Sequence, residues 1–455
     1  MKITNWFSFN KIKSWFNRDL LKAVKFIPKY LSNIDKIVLL CLVFVIAVAG
    51  FFLWHGYWVK NTKEIAVFGG TFNEGIVGKP SDVVKHVSRL TGAGLTKLQD
   101  TGEVKGDIAE SWEIADGGKT YRFKLRSGFN SYDLASQLQN KNIWQNIEIA
   151  TPEESILEFK FKQPFSPFLY ISTDPVFDYG PYKVVKEEKT RITLIAQDNY
   201  WQGRPYINKI VLHLYNDENA LIQAAKRGEI DGYAVLDSSE WKNDDSRILE
   251  MSLPRELLVF FNLNKDGLKI KSLRQSLRDN KALDKDYTFV LVTSDNEKNL
   301  KVAENLKAQW APLKVNLEIK KYDNATLQKD IIPKREYDLL LYGLDYGQDP
   351  DPYPFWHSSQ IKPDGMNLSN YTNKQADKLL EDARTTFDFK TRDDKYTAFQ
   401  KILNEDVPFI KISQEKFEYV LNTNVRGIDK IYGFNESDRF LNIWQWYVKT
   451  KRVRK

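Results

Sequence analysis

The sequence predicts a mixed α/β protein of two or more lobes carried behind a single transmembrane helix. Three observations lead there. The chain has 455 residues, beyond the size at which one core keeps growing. Strand and helix patterns alternate along most of it. One run, Ile37 to Val59, contains no Asp, Glu, Lys or Arg.

That run decides the topology. Twenty-three residues at a helical rise of about 1.5 Å cover roughly 34 Å, enough for a hydrocarbon core of about 30 Å. Trp54, Tyr57 and Trp58 stand where an interfacial aromatic belt belongs. The preceding segment, residues 1–36, carries Lys2, Lys11, Lys13, Arg18, Lys22, Lys25, Lys29 and Lys36, so the positive-inside rule puts it in the cytoplasm and everything after Lys60 outside. Ala47-Val48-Ala49 offers an alternative as a signal-peptidase site. Cleavage there would leave the apolar Gly50-Phe51-Phe52-Leu53-Trp54 exposed, which favours retention. Cys41, the single cysteine, follows Leu40 rather than a small residue and reads as a lipid-facing or packing cysteine; it excludes disulfides within one molecule.

The formal charge of +7 is likewise local. Residues 1–60 hold nine Lys/Arg against Asp19 and Asp35, and the remaining 395 residues balance at 58 against 58. No basic stripe on the folded part suggests nucleic acid. The cluster Lys449, Lys451, Arg452, Arg454 and Lys455 reads as a frayed, solvated tail. With 13% aromatic residues and three Met, some rings are expected to line a cleft.

Beyond Lys60, Tyr121, Phe123 and Leu125 alternate with basic residues, as do Leu157, Phe159 and Phe161 with charged ones, the pattern of half-buried antiparallel strands. Asp116-Gly117-Gly118 supplies positive-φ positions for a hairpin. Glu187 to Lys189 turns between strands Tyr182 to Val185 and Ile192 to Ile195. A further strand through Ile210, Leu212 and Leu214 leads to Asn216 and Asp217, caps for a helix through Ala220, Ala224 and Ala225. After Asn262 the units lengthen. A strand near Tyr287 to Val292 is followed by a helix carrying Leu300, Ala303, Leu306 and Trp310, and by strands at Val315 to Ile319 and Tyr337 to Tyr342. Helices follow around Gln375 to Arg384 and through Tyr396, Phe399, Ile402 and Leu403, whose spacing marks a core stripe.

Residues for chemistry are sparse. The four His, at 55, 86, 213 and 357, are scattered, so neither a His-rich metal site nor a His-based nucleophile system is supported. Gly69-Gly70 lacks the further glycine and Lys-Ser/Thr pair of a phosphate loop. The densest constellation is Leu344 to Tyr353, with Asp345, Asp349 and Asp351 within seven residues. It lacks the glycine and closing glutamate of an EF-hand, and a glycosidase pair would need carboxyls held across a sugar. It remains readable as a solvated acidic turn closed by Pro350 and Pro352, or as a site for a cationic or amine-bearing ligand.

Gly94 to Leu98, the stretch GDIAESWEIADGGKTYRFKLRSG from Gly106, GPYKVV from Gly180, DNYWQGRPYINKI from Asp198 and RGEIDGY from Arg227 form a series of blocks. These blocks resemble the family 5 solute-binding proteins, the peptide and nickel receptors of ATP-binding cassette transporters. Phe261 to Asn264 with Leu273 to Leu277, Asp349 to Gln360 and Asn370 to Asn373 continue the match in order. The chain is a trimmed version: Leu277 reaches the strand at Tyr287 within ten residues where relatives carry a long insert, and the helical stretch after Arg126 to Gly128 is short.

The resemblance implies a two-lobe clamshell of the type II periplasmic-binding-protein kind. Lobe one would span residues 60–260, lobe two 261–420, and residues 421–455 would return to lobe one and end in the basic tail. It implies a monomeric, non-enzymatic receptor without cofactor or metal that binds peptides between the lobes and delivers them to a permease. A non-transport interaction or sensory module on the same fold, and a nickel or nickel-chelate receptor, are the rival readings. In peptide-binding relatives an Asp after the strand matching Leu339 to Tyr342 pairs with the ligand ammonium. Counting back from Pro350 gives Asp345, with Asp349 as competitor because the loop is longer. Tyr346 and Trp356 flank the same loop as ligand-packing candidates, Trp356 having a core role as its alternative.

Overall fold

The computed structural model describes residues 32–139, 147–235, 245–349 and 351–455. Most of the basic segment expected in the cytoplasm, residues 1–31, and Pro350 lie outside the described residues. The chain divides into two compact units, residues 1–67 with 450–455, and residues 68–449.

In the first unit a helix runs from Asn33 to Asn61, opened by a capping box in which Ser32 and Asp35 satisfy each other's backbone. It contains the uncharged run, is long and apolar enough to cross a membrane, and buries none of its residues. Trp54 and Trp58 stack one turn apart near its end. The helix continues directly into the strand Thr62–Ala66, which pairs antiparallel with Thr450–Arg454. The basic segment expected to be frayed is therefore a strand. Its backbone partners lie almost 400 residues earlier, and Arg452 holds them with a bond to Thr62 Oγ1 at 3.0 Å and an ion pair to Glu64 at 3.3 Å.

The second unit is organised by one ten-stranded sheet. In order across it run Val315–Tyr322, Tyr287–Ser294, Leu339–Asp345, Ser246–Phe261, Phe409–Asn422, Gly232–Val235, Thr71–Val77, Lys209–Tyr215, Arg191–Ala196 and Tyr182–Glu188. The two long central strands, Ser246–Phe261 and Phe409–Asn422, run through both lobes. Their first stretch of pairing carries the neighbours of lobe one through Gly232–Val235, and their second those of lobe two through Leu339–Asp345. Between the stretches the register slips at Ser252/Glu256. Pro254, which cannot donate to the ladder, sits inside the slip, where a bulge bends the strand and re-aims Arg255.

Each lobe has its own core. In lobe one Phe72, Leu212, Tyr182, Tyr419 and Trp446 pack together. Lobe two packs both faces of its sheet, one around Phe260, Leu340 and Trp356 and the other around Phe261, Leu291 and Trp310. The helix Glu297–Trp310 and the helices Lys374–Arg384 and Phe389–Asp406 fall where periodicity places them.

A four-stranded antiparallel sheet, ordered Ala109–Ala115, Thr120–Leu125, Ile156–Lys160 and Glu148–Glu153, builds a third core around Tyr121, Phe123, Leu157 and Phe159. Lobe two reaches this subdomain. Phe387 and Phe389 pack on its core, and the backbone of Ser166 donates to Arg384 O at 3.3 Å. Gly118 makes the approach possible: at φ +92°, a Cβ there would stand 1.9 Å from the Phe387 ring. Gln348 adds a side-chain bond from lobe two to Asp174.

Candidate ligand cleft

Open α/β sheets bind ligands beyond the carboxyl ends of their strands. Here a cavity of about 950 Å³ opens at that edge, between the ends of Thr71–Val77 and Gly232–Val235 in lobe one and of Leu339–Asp345 in lobe two. The bulged stretches of the two long strands form its floor, and its wall includes Asn299 and Lys298 from the first turn of Glu297–Trp310. Such a volume sits at the upper end of ordinary small-ligand sites.

The lining is charged and of both signs. Arg255 is the centre of a network: Nε lies 3.1 Å from Asp345 Oδ2, and Nη1 lies 2.5 Å from Glu436 and 3.3 Å from Glu415. The Glu436 bond foremost, with Asp345, raises the guanidinium further above its ordinary value. Asp345 also accepts from Gly347 N at 2.8 Å, so the turn fixes the carboxylate at the strand end, while its side chain stays 53% exposed.

Behind this network the cleft wall is cross-linked by buried polar bonds. Arg439 donates twice to the fully buried Glu74, at 2.6 and 3.0 Å, and Tyr419 donates to the same carboxylate at 2.6 Å. These bonds tie the segment Glu436–Phe440 to the strand Thr71–Val77. His86 lies beside Arg439 at 3.2 Å; burial and then the guanidinium hold it well below its ordinary value, so it is neutral at physiological pH.

The four residues singled out in the loop after Leu339–Asp345 separate. Asp345 lines the cleft. Asp349 turns away: both its carboxylate oxygens lie 2.8 Å from Arg392 Nη2, with the two side chains 9% and 5% exposed. Neighbouring Asp351 is taken up by Arg384 at 2.7 Å and by Tyr396. Tyr346 packs edge-on against Phe355, with its hydroxyl 3.3 Å from Glu256, and is half-buried rather than part of the cleft lining. Trp356 is 1% exposed and sits between Phe260 and Phe409, the core role named as its alternative.

Sequence reasoning missed Arg255, Glu415 and Glu436. Arg255 did leave a signal, since Pro254-Arg255-Glu256 sits directly before the apolar run Leu257 to Phe261. Glu415 and Glu436 left none, because each becomes a cleft residue only through a partner more than 150 positions away.

The comparisons agree with this architecture. The model of the bacterial extracellular solute-binding proteins, family 5 Middle, matches residues 132–286. The oligopeptide-binding protein AppA of Bacillus subtilis is 22% identical over 84% of this chain and 92% of its own length. The structure of AppA in complex with a nonapeptide superposes with a TM-score of 0.59 at 20% identity, covering 85% of this chain and all of that one. HbpA2 from Haemophilus parasuis superposes with a TM-score of 0.73 at 16% identity, over 84% of this chain and all of its own.

Proposed function

We infer that this chain, which belongs to the family 5 extracellular solute-binding proteins, is the membrane-tethered binding component of an ATP-binding cassette importer and takes peptides in its interlobe cleft. One observation carries the reading: Asp345 presents a half-exposed carboxylate inside the cleft, held at a strand end, with Arg255 beside it. A peptide is zwitterionic. Its ammonium, once desolvated, requires a carboxylate, since an unpaired buried charge costs several kcal/mol, and Asp345 serves as that partner. Its backbone and carboxylate meet the remaining lining, where Lys298, Lys416 and Arg255 alternate with Glu415 and Glu436. Backbone and termini are what all peptides share, so such a site tolerates varied side chains.

Binding and release then follow a hinge motion at the bulge around Pro254, with the ligand favouring the state in which the lobes touch. The ligand leaves chemically unchanged. The protein acts as a monomer outside the cell, anchored by Asn33–Asn61, and hands its ligand to a permease in the same membrane.

Mass spectrometry of small molecules released from the purified full chain tests the reading. Peptides should be recovered, and saturating mixed peptides should raise the melting temperature by mass action. Recovery of no peptide, together with an unchanged melting temperature, overturns it in favour of an interaction or sensory module.

A further inference from the structure

We propose that the paired strands Thr62–Ala66 and Thr450–Arg454 form a docking surface for anionic phospholipid headgroups at the extracytoplasmic mouth of the membrane helix. The proposal rests on the reading of Asn33–Asn61 as a membrane span.

No turn separates that helix from Thr62–Ala66, so the strand starts at the depth where headgroups lie. Trp54, Tyr57 and Trp58, exposed on the last two turns, belong to the same interfacial zone. The second strand brings its charge to this place. Arg452 stacks over Trp58 at 5.6 Å and bonds Thr62, while Lys455 donates through its backbone to Asn61 O at 3.1 Å and through Nζ to Lys60 O at 2.7 Å. The result gathers Lys60, Lys63, Lys451, Arg452, Arg454 and Lys455 around one helix end, against Glu64 alone. Glu64 is already engaged by Arg452.

Strand alternation sorts these charges. Arg452 and Arg454 share a face with Thr62 and Glu64, whereas Lys63 and Lys451 stand on the opposite face beside Ile65 and Val453. Lys63, Lys451 and Arg454 are exposed, and among the described residues no carboxylate lies within ion-pairing distance of them. Cations held at a membrane surface and flanked by interfacial aromatics are complementary to phosphate-bearing lipid, each worth about 1 kcal/mol at an anionic surface, or roughly fivefold.

The positive-inside rule raises no objection. It counts charges near the span in sequence, and four of these six arrive from residues 451–455. They reach the outer interface only after the intervening chain has crossed and folded.

The test uses the full chain with Cys41→Ser and Thr450→Cys, labelled with an environment-sensitive fluorophore and reconstituted into nanodiscs of phosphatidylcholine, with or without phosphatidylglycerol. Emission should shift to the blue with phosphatidylglycerol, and high salt should reverse the shift. Lys63→Gln/Lys451→Gln/Arg454→Gln should abolish it, while Lys63→Arg/Lys451→Arg retains it. Equal emission in both lipids from an inserted chain overturns the proposal, as does a shift that survives the triple substitution. Reversal by inorganic phosphate at matched ionic strength overturns the lipid assignment in favour of a free-phosphate site. A chain that enters neither nanodisc overturns the membrane span itself, and the proposal with it.

Discussion

Asp345 and Arg255 stand directly opposite each other on neighbouring strands, Oδ2 to Nε 3.1 Å, at the point where the crossing strand bulges between the lobes. The carboxylate therefore has a cation of its own before any ligand enters. Arg255 in turn can release it at small cost, because Glu436 and Glu415 remain as partners.

Exchange of that partner predicts a specific loss. Asp345→Asn should weaken binding of peptides with a free N-terminus by roughly 10- to 150-fold, the worth of one charge-assisted hydrogen bond of about 1.5–3 kcal/mol. N-acetylated peptides should show the same loss in the unmodified protein. Calorimetric titration checks both, and parent-like binding in both cases moves the anchor elsewhere.

Asp349 should behave in the opposite way. Removing it leaves Arg392 buried without its bidentate partner, and breaking a buried pair costs about 3–5 kcal/mol. Asp349→Ala should thus lower the denaturation midpoint while the protein that remains folded binds peptide like the parent. A tenfold loss of affinity without loss of stability would make Asp349 the anchor instead.

Contact of lobe two with the antiparallel subdomain predicts a change of shape. Gly118→Ala places a Cβ 1.9 Å from the Phe387 ring and adds strain at φ +92°, and overpacking of this kind costs typically 1–3 kcal/mol. The ligand-free variant should show a larger radius in small-angle scattering, with excess peptide restoring part of the compaction. Phe387→Ala removes the ring and should relieve the steric part of the Gly118→Ala cost in the double variant, leaving the backbone strain at φ +92°.

Asp107 predicts a pH dependence. Burial pushes its carboxyl up to about 6, against the opposing charges of Lys97, Arg89 and Arg126; Gln202 Nε2 donates to it at 2.8 Å. A carboxyl raised in the folded state holds its proton more tightly folded than unfolded. Its contribution to stability is present below the ordinary value near 3.9 and is lost as pH rises through about 6. Asp107→Asn, which can still accept from Gln202, should flatten this part of the profile and stabilise the protein above pH 6 by up to about 3 kcal/mol. Chemical denaturation at pH 5 and pH 8 reads the difference; an equal effect at both pH values refutes it.

Topology is open to a direct check. The charge asymmetry around Ile37 to Val59 predicts one span with the bulk of the chain outside. A reporter fused after Lys455 should be active only when it works extracytoplasmically. A soluble product beginning at Gly50 would show cleavage instead.

The local patterns were legible to within a few residues. Leu300, Ala303, Leu306 and Trp310 mark one face of a helix that the structure draws as Glu297–Trp310, and three of the four are buried there. Tyr121, Phe123 and Leu125 alternate in the sequence and are buried in the strand Thr120–Leu125. Asp217 caps its helix by accepting from Ala220 N at 2.8 Å. Each of these depends on neighbours a few positions away, which periodicity records.

Long-range pairing was not legible. The basic segment at residues 451–455 looked solvated because its charges are plain in the sequence, whereas the strand that satisfies its backbone lies at Thr62–Ala66.

From the sequence alone come the uncharged run long enough to span a membrane, the order and period of the strands and helices, and the acidic loop between Leu344 and Tyr353. The tertiary structure alone decides which carboxylate of that loop faces the cleft. Asp345, Asp349 and Asp351 are chemically equal in the sequence, and their fates differ because Arg392 and Arg384 arrive from a distant helix pair to neutralise two of them. The third stays accessible at the cleft, paired only with an arginine that has other partners. Periodicity encodes which face of an element is apolar; the electrostatic environment of a side chain is a sum over groups that only folding brings within a few ångströms.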